Sequence, residues 1–327
     1  MKEKIKKIPI VGKILLNIKA HSVFRNDRRF FLKNFINGKR DSSSIEYDML
    51  LEIHKLEKGM ACKTLRPFGT KKVEKIILLI KEYEKKGFAQ MKSFAYNLAI
   101  SSLVEYKNIY DTNGWTDKEE YKIVLEFLNV NRNYKKLSVG AQDIFYKNIK
   151  DDLNIDYDKF IRSRHSVRNF SSKKLKKEDI KKAVLMSIHT PSACNRQMCK
   201  IYYITDNNKK IVEKYAQGLS LFDLSNANYF IITFDVSSFY FIGERSQGWF
   251  NAGLMAMNFV NALHSLSIGS CFVQFANSYK EEKIIKENLN IPCSERIAVI
   301  IAAGYYDTLS RVPYSTRKEI QEVFRER

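Results

Sequence analysis

Seven residues, Arg162-Ser-Arg-His-Ser-Val-Arg168, gather guanidiniums and hydroxyls ahead of a helix-like stretch. Arg164 and Arg168 each present forked donors and Ser166 adds a short hydroxyl donor, a combination that suits an anionic phosphate. Thr190-Pro-Ser-Ala-Cys-Asn-Arg-Gln197 follows that stretch. A turn of this kind offers backbone and amide groups to a flat polar ring. An arginine-rich heptad on its own is more often solvated surface than a phosphate site. The two segments carry meaning only as a pair.

Other chemistries are less well served. The five cysteines (Cys62, Cys194, Cys199, Cys271, Cys293) are scattered, with no Cys-x-x-Cys, and the five histidines are equally dispersed. Neither a disulfide framework nor a metal site is expected, and a reducing, cytoplasmic compartment fits best. Cys194 sits in the turn as a small packing residue rather than a nucleophile. His54-Lys-Leu-Glu-Lys-Gly-Met60 and Arg66-Pro-Phe-Gly69 crowd charges at a helix end. Ordinary surface ion pairs are the plainer account of them.

The elements that must position these groups fall into two kinds. From 41 to about 150 the pattern is helical. Ile45, Met49, Ile53 and Leu56 mark one helix followed by Gly59, and Val73, Ile76, Ile77, Ile80 and Tyr83 a second stopped by Gly87. Phe94, Leu98 and Val104 belong to a third ending near Gly114, and Thr116-Asp-Lys-Glu119 reads as a capping box for a fourth. From 155 the period changes. Lys200–Thr205 and Tyr229–Asp235 are short, β-branched and aromatic, hence strands, whereas 246–267 is a long helix apolar nearly all round. No Pro/Gly-rich linker separates the halves, so they should pack together. The expected division is a basic segment 1–40, a helical region 41–154 and a mixed domain 155–327.

A net charge of +20 on 327 residues is unevenly spread: residues 1–40 hold 12 Lys/Arg against 2 Asp/Glu. Apolar positions 5, 8, 11, 15 and 18 among Lys4, Lys6, Lys7 and Lys13 allow a basic amphipathic helix on an anionic membrane, weakened by Pro9 and Gly12. A segment docked on the rest of the protein fits equally, as does a general Lys/Ile/Asn bias. No run reaches the ~18 apolar residues of a transmembrane helix. Nucleic-acid binding is not expected, since no recognised motif accompanies the basic residues.

The arginine segment and the Pro-Ser-Ala-x-Asn turn, in this order, resemble the FMN-dependent nitroreductase family. Three further pieces extend the likeness in order: Trp249–Asn258 running to His264–Cys271, then Phe272-Val-Gln-Phe275, then Ala298–Gly304 with Ser315 and Arg317 after it. The resemblance covers about half the chain. It implies an α+β fold, a mostly antiparallel sheet flanked by helices, and a homodimer with two FMN sites at the interface. It places Arg164, His165, Ser166 and Arg168 on the flavin phosphate, with Ser315 and Arg317 arriving from the C-terminal segment. Pro191, Ser192, Asn195 and Gln197 would lie against the ring from the other subunit, and Gln274 and Phe275 beside its N5. His165 would act as a neighbouring donor rather than an acid–base group.

The activity so implied is electron transfer from NADH or NADPH through FMN to a small molecule. The alternative is a dimeric assembly module with little flavin chemistry. About ten residues separate Asp235 from Ser246, too few for the insertion many nitroreductases carry there, which argues against the usual quinone or nitroaromatic substrates. Leu221 and Leu224 stand where some relatives carry polar groups. A similar His-x-x-Glu-Lys-Gly segment occurs in N-terminally extended nitroreductase-like proteins, some encoded among polysaccharide-biosynthesis genes. If a cover for the ring is needed, the His54–Gly69 region should approach Arg164, Asn195 and Gln274.

Overall fold

The computed structural model describes residues 9–62, 64–142, 155–219, 224–310, 312, 315 and 317–327. Residues 1–8 of the basic segment, most of the expected junction between the halves, and Leu221 lie outside that set.

Helix α1 (Pro9–Phe31) starts at a proline, where the missing N–H has no helical partner to lose, and ends in a π-turn over Leu32–Ile36. Four more helices follow: α2 (Ser42–Met60), α3 (Thr70–Lys85), α4 (Phe94–Thr112) and α5 (Glu119–Leu128). Asp41 caps α2 by accepting from the Ser44 N–H, and Ser93 caps α4 through the Tyr96 N–H. The periodic residues meet as expected: Ile45, Met49, Ile53 and Leu56 share one core with Val73, Ile76, Ile80, Ala99 and Leu103. Residues 129–142 run back over this bundle without regular structure, the Lys135 and Leu137 N–H groups donating to the side chains of Asn97 and Ser101.

Two local expectations fail. The capping box at Thr116–Glu119 does not form: Lys118 is the N-cap and its side chain makes no cap. Its neighbour Asp117 is instead paired with the Lys118 ammonium at 2.9 Å. Gly59 does not stop α2, which continues to Met60. That glycine serves close approach, since a Cβ there would sit 2.5 Å from the Phe68 ring.

The second half comprises α6 (Tyr157–Ser163), α7 (Lys177–Ser187), β1 (Cys199–Ile204), α8 (Lys209–Tyr215), β2 (Asn228–Asp235), α9 (Gln247–Ser265), β3 (Ile268–Val273), α10 (Tyr279–Asn288), β4 (Glu295–Tyr305) and α11 (Ile320–Val323). The four strands form one antiparallel sheet in the order β1-β2-β4-β3. Alternate residues of β2 serve opposite faces. Phe230, Ile232 and Phe234 join α9 residues Ala252, Ala256, Phe259 and Leu263, while Tyr229 and Ile231 join Val212 of α8 and Ile285 of α10. Both faces are covered, which explains why β2 and β4 read as unbroken apolar runs.

The halves pack together. Helix α2 lies against the short turns at Ala193–Asn195 and Val236–Ser238. Tyr47 of α2 donates to Asp235 at 3.3 Å, and the Lys55 ammonium stands 5.0 Å over the Tyr240 ring. Burial, with the Asp235 and Glu295 carboxylates close by, raises the Tyr47 phenol well above its ordinary pKa. Phe30 of α1 is buried in the core of the second half, and Asp27 pairs with Arg296 of β4 at 3.0 Å. Among the described residues, no helix is long and apolar enough to cross a membrane.

Candidate functional site

The arginine segment leaves α6 as an extended strand-like stretch along the edge of β3. The Val167 N–H donates to the Ser270 carbonyl at 3.0 Å, and Ser166 bridges Ser270. Val167 and Phe170 turn into the core. Two glycines let them: a Cβ at Gly304 would stand 2.5 Å from Phe170, and one at Gly269 3.3 Å from Val167. The alternation of an extended chain then directs residues 164, 166 and 168 away from that core. The Arg168 guanidinium donates to the Ser166 carbonyl at 3.3 Å.

Around this stretch the structure gathers residues that the sequence alone did not single out. His264, at the end of α9, is held from both sides. Its Nε2 lies 2.8 Å from the Ser163 hydroxyl and its Nδ1 2.8 Å from the Tyr306 hydroxyl. Burial first, then the positive charges of Arg164 and His165, hold its pKa below the ordinary value of 6.5. Cys271 is raised by burial, against the opposing pull of Arg168 and Arg164. Arg164 therefore acts on His264, Cys271 and Tyr306 together. A neutral histidine, a protonated thiol and two guanidiniums are the chemistry of an anion holder.

The Thr190–Gln197 turn is built differently. Cys194, Asn195 and Gln197 all have φ between 50° and 53°, a left-handed conformation that residues other than glycine adopt at a cost. An anchor holds it. Arg196 is fully buried and pairs bidentately with Glu244 at 2.6 and 2.8 Å, while also donating to the carbonyls of Ser238 and Ala193. Burial alone would raise Glu244, but Arg196 and the backbone N–H groups of Tyr240 and Phe241 outweigh it and keep it below the ordinary carboxylate pKa. Ser192 accepts from the Gln197 N–H at 2.9 Å. Pro191, Ser192 and Gln197 line a cavity of about 110 Å³ with Asn251 and Met255 of α9.

The expected site residues therefore fall into separate groups within one chain. Arg164, His165, Ser166 and Arg168 cluster at the His264 end of α9. Pro191, Ser192 and Gln197 lie beside Asn251 and Met255, which along a helix rising 1.5 Å per residue are roughly 14–20 Å from His264. Gln274 and Phe275 continue β3 just beyond Cys271, the Gln274 carbonyl accepting from the Gln217 N–H at 3.1 Å. Arg317 donates to the carbonyl of Ser315, which has a φ of 53°. The His54 helix packs on the Ala193–Asn195 turn.

Residues 161–222 and 226–305 match the family model described as Nitroreductase family. The second half of the chain is a nitroreductase-family domain. Solved structures similar to it include a nitroreductase family protein from Streptococcus pneumoniae, at 22% identity and a TM-score of 0.45 over 53% of this chain and 100% of that one. An FMN-dependent nitroreductase from Clostridium difficile R20291 shows 20% identity and a TM-score of 0.43 over 51% and 98% of the two chains. A nitroreductase family protein from Clostridium difficile 630 shows 19% identity and a TM-score of 0.45 over 52% and 98%. No curated protein matches the chain.

Proposed function

We propose that the chain is an FMN-dependent oxidoreductase that passes electrons from a reduced nicotinamide, NADH or NADPH, to a small molecule. The observation that supports the reading is the Arg164–Ser166–Arg168 row, held on the β3 edge by the Ser166–Ser270 bridge and the Val167 N–H to Ser270 carbonyl hydrogen bond. That donor set fits a flavin phosphate. FMN, when bound, supplies a ring that takes up hydride from nicotinamide and passes the electrons on.

The residues of this chain would divide the work. Arg164, Ser166 and Arg168 hold the phosphate, with His165, Ser315 and Arg317 as further donors. Gln274 and Phe275 stand where β3 would flank the ring. Ser163 and Tyr306 fix the orientation of His264, whose pKa burial and Arg164 hold below its ordinary value. Pro191, Ser192, Asn195 and Gln197 lie too far along α9 to meet that row in their own chain. They would serve the partner's flavin in a homodimer. The outward face of α9 supports such pairing: Phe250 and Met257 are exposed there, and Gly253 has open space beside it.

The test is a flavin fluorescence titration. Each lost charge-assisted contact is worth about 1.5–3 kcal/mol, so Arg168→Ala should weaken FMN binding roughly tenfold or more. Unchanged affinity removes the phosphate assignment and with it the reading.

Within the same reading the protein is cytoplasmic and touches the membrane through its basic N-terminal segment. Ile14, Leu15 and Ile18 are exposed. At about 100° per residue they lie roughly opposite Asp27, Phe30 and Phe31, the face by which α1 docks. Arg25 and Arg29 share the side of the apolar stripe. An apolar stripe with arginines behind it, turned away from the body, suits the surface of an anionic bilayer.

A further inference from the structure

A second cavity, of about 450 Å³, lies where α1 meets the nitroreductase-family domain. Its walls are aromatic: Phe24, Phe30 and Phe31 from α1, Phe234 and Phe239 from the end of β2 and the turn beyond, and Trp249 from α9. Trp249 and His264 stand fifteen residues apart on one helix, roughly 22 Å, so this cavity is remote from the arginine row. It owes three of its six aromatic rings to a helix outside the family match.

The charged groups at the cavity are three arginines and one aspartate. Asp27 is taken by Arg296, and Arg296 also binds Glu282 at 3.1 Å while stacking 5.0 Å from the Phe30 ring and 5.6 Å from that of Trp249. These charges are satisfied. Arg28 and Arg245 are not: both line the cavity, both are exposed, and among the described residues neither has a carboxylate partner. The rim is also unfinished on its apolar side, with Phe24 72% and Ile242 66% exposed. Small-molecule sites combine such a volume, an apolar lining and a few placed polar groups.

We propose that this cavity binds a small amphipathic anion, its apolar body between the aromatic rings and its acidic group between Arg28 and Arg245. The site is independent of the flavin reading and stands whether or not FMN binds. An apolar body covers Phe24 and Ile242, and an acidic end supplies the counter-charge that Arg28 and Arg245 lack. A neutral ligand of the same length would leave both guanidiniums as they are.

The experiment uses the full chain, with laurate and its uncharged counterpart dodecanol below their aggregation limits, followed by titration calorimetry and by Trp249 fluorescence in a Trp115→Phe background. Laurate should bind saturably at one site, at least about tenfold more tightly than dodecanol, and should perturb Trp249. Arg28→Gln with Arg245→Gln, both at exposed positions, should bring the two affinities together. Ser246→Phe, which places a ring in the cavity, should abolish binding of both. Equal affinities in the unaltered protein, absence of saturable binding, or a preference for laurate that survives the double glutamine variant would each overturn the site. Should Ser246→Phe fail to fold, the first two comparisons still decide.

Discussion

At the scale of single residues the molecule relies on charges placed where water is scarce. His264 and His54 both titrate below 6.5, each chiefly because burial disfavours the cation. The unfolded chain therefore takes up these protons first as the pH falls. Stability from this source is fully present above 6.5 and is lost as the pH drops through the window beneath it. Thermal melting followed from pH 7.5 to 5 should show a falling midpoint, and His264→Gln should flatten that slope. An unchanged slope would mean that His264 does not titrate in the folded protein as its surroundings require. Glu244 is the more severe case. Glu244→Gln leaves the Arg196 guanidinium buried and unpaired, at a cost of about 3–5 kcal/mol. Denaturant unfolding should register that loss, whereas Arg196→Met with Glu244→Leu should lose less. Nothing in the sequence marked this pair, because the partners stand 48 residues apart and neither belongs to a motif. Arg196 was visible only as one letter inside the turn. Buried Glu295, bound by Lys200, Tyr202 and Thr233 from two other strands, was hidden for the same reason.

At the scale of elements the sequence was legible wherever periodicity decides. The apolar residues of α2 and α3, and the alternation hidden in the apolar runs of β2 and β4, follow directly from which faces must be covered. Of the site, the arginine row was legible because its residue types and spacing are the chemistry. His264 became meaningful only when α9 and α6 brought it to Ser163. Capping was less legible, since α5 starts after Lys118, whose side chain makes no cap, rather than at Thr116. Glycines in helices were ambiguous for a related reason: their purpose lies in the neighbour they admit. Gly248 of α9 shows this clearly, because a Cβ there would fall 2.1 Å from the Phe234 ring. Gly248→Ala should therefore destabilise by about 1–3 kcal/mol through overpacking, despite the better helix propensity of alanine. A melting temperature at or above that of the unaltered protein would show that Phe234 can move aside.

At the scale of the whole molecule, α1 has two opposed faces and each has a separate task. The docking face is tied into the second half through Phe30, so removing the first forty residues would open a core rather than simply delete a tail. The outward face can be altered without that damage. Ile14→Ser, Leu15→Ser and Ile18→Ser together should sharply reduce co-sedimentation with vesicles containing acidic lipid, and raised salt should weaken the binding of the unaltered protein. Equal binding by the triple variant would leave the basic charge as general composition bias.

The pairing of Asp27 with Arg296 spans 269 residues. A ribosome adding 5–20 residues per second needs on the order of 15–50 s to make the second partner after the first. Through that interval α1 has left the tunnel with both of its apolar faces uncovered, since Phe234, Phe239 and Trp249 are also made late. Helix α1, made early, is thus among the last elements to be seated. For most of its synthesis the nascent chain displays a basic apolar segment to whatever surface is near, before the domain that will partly cover it exists.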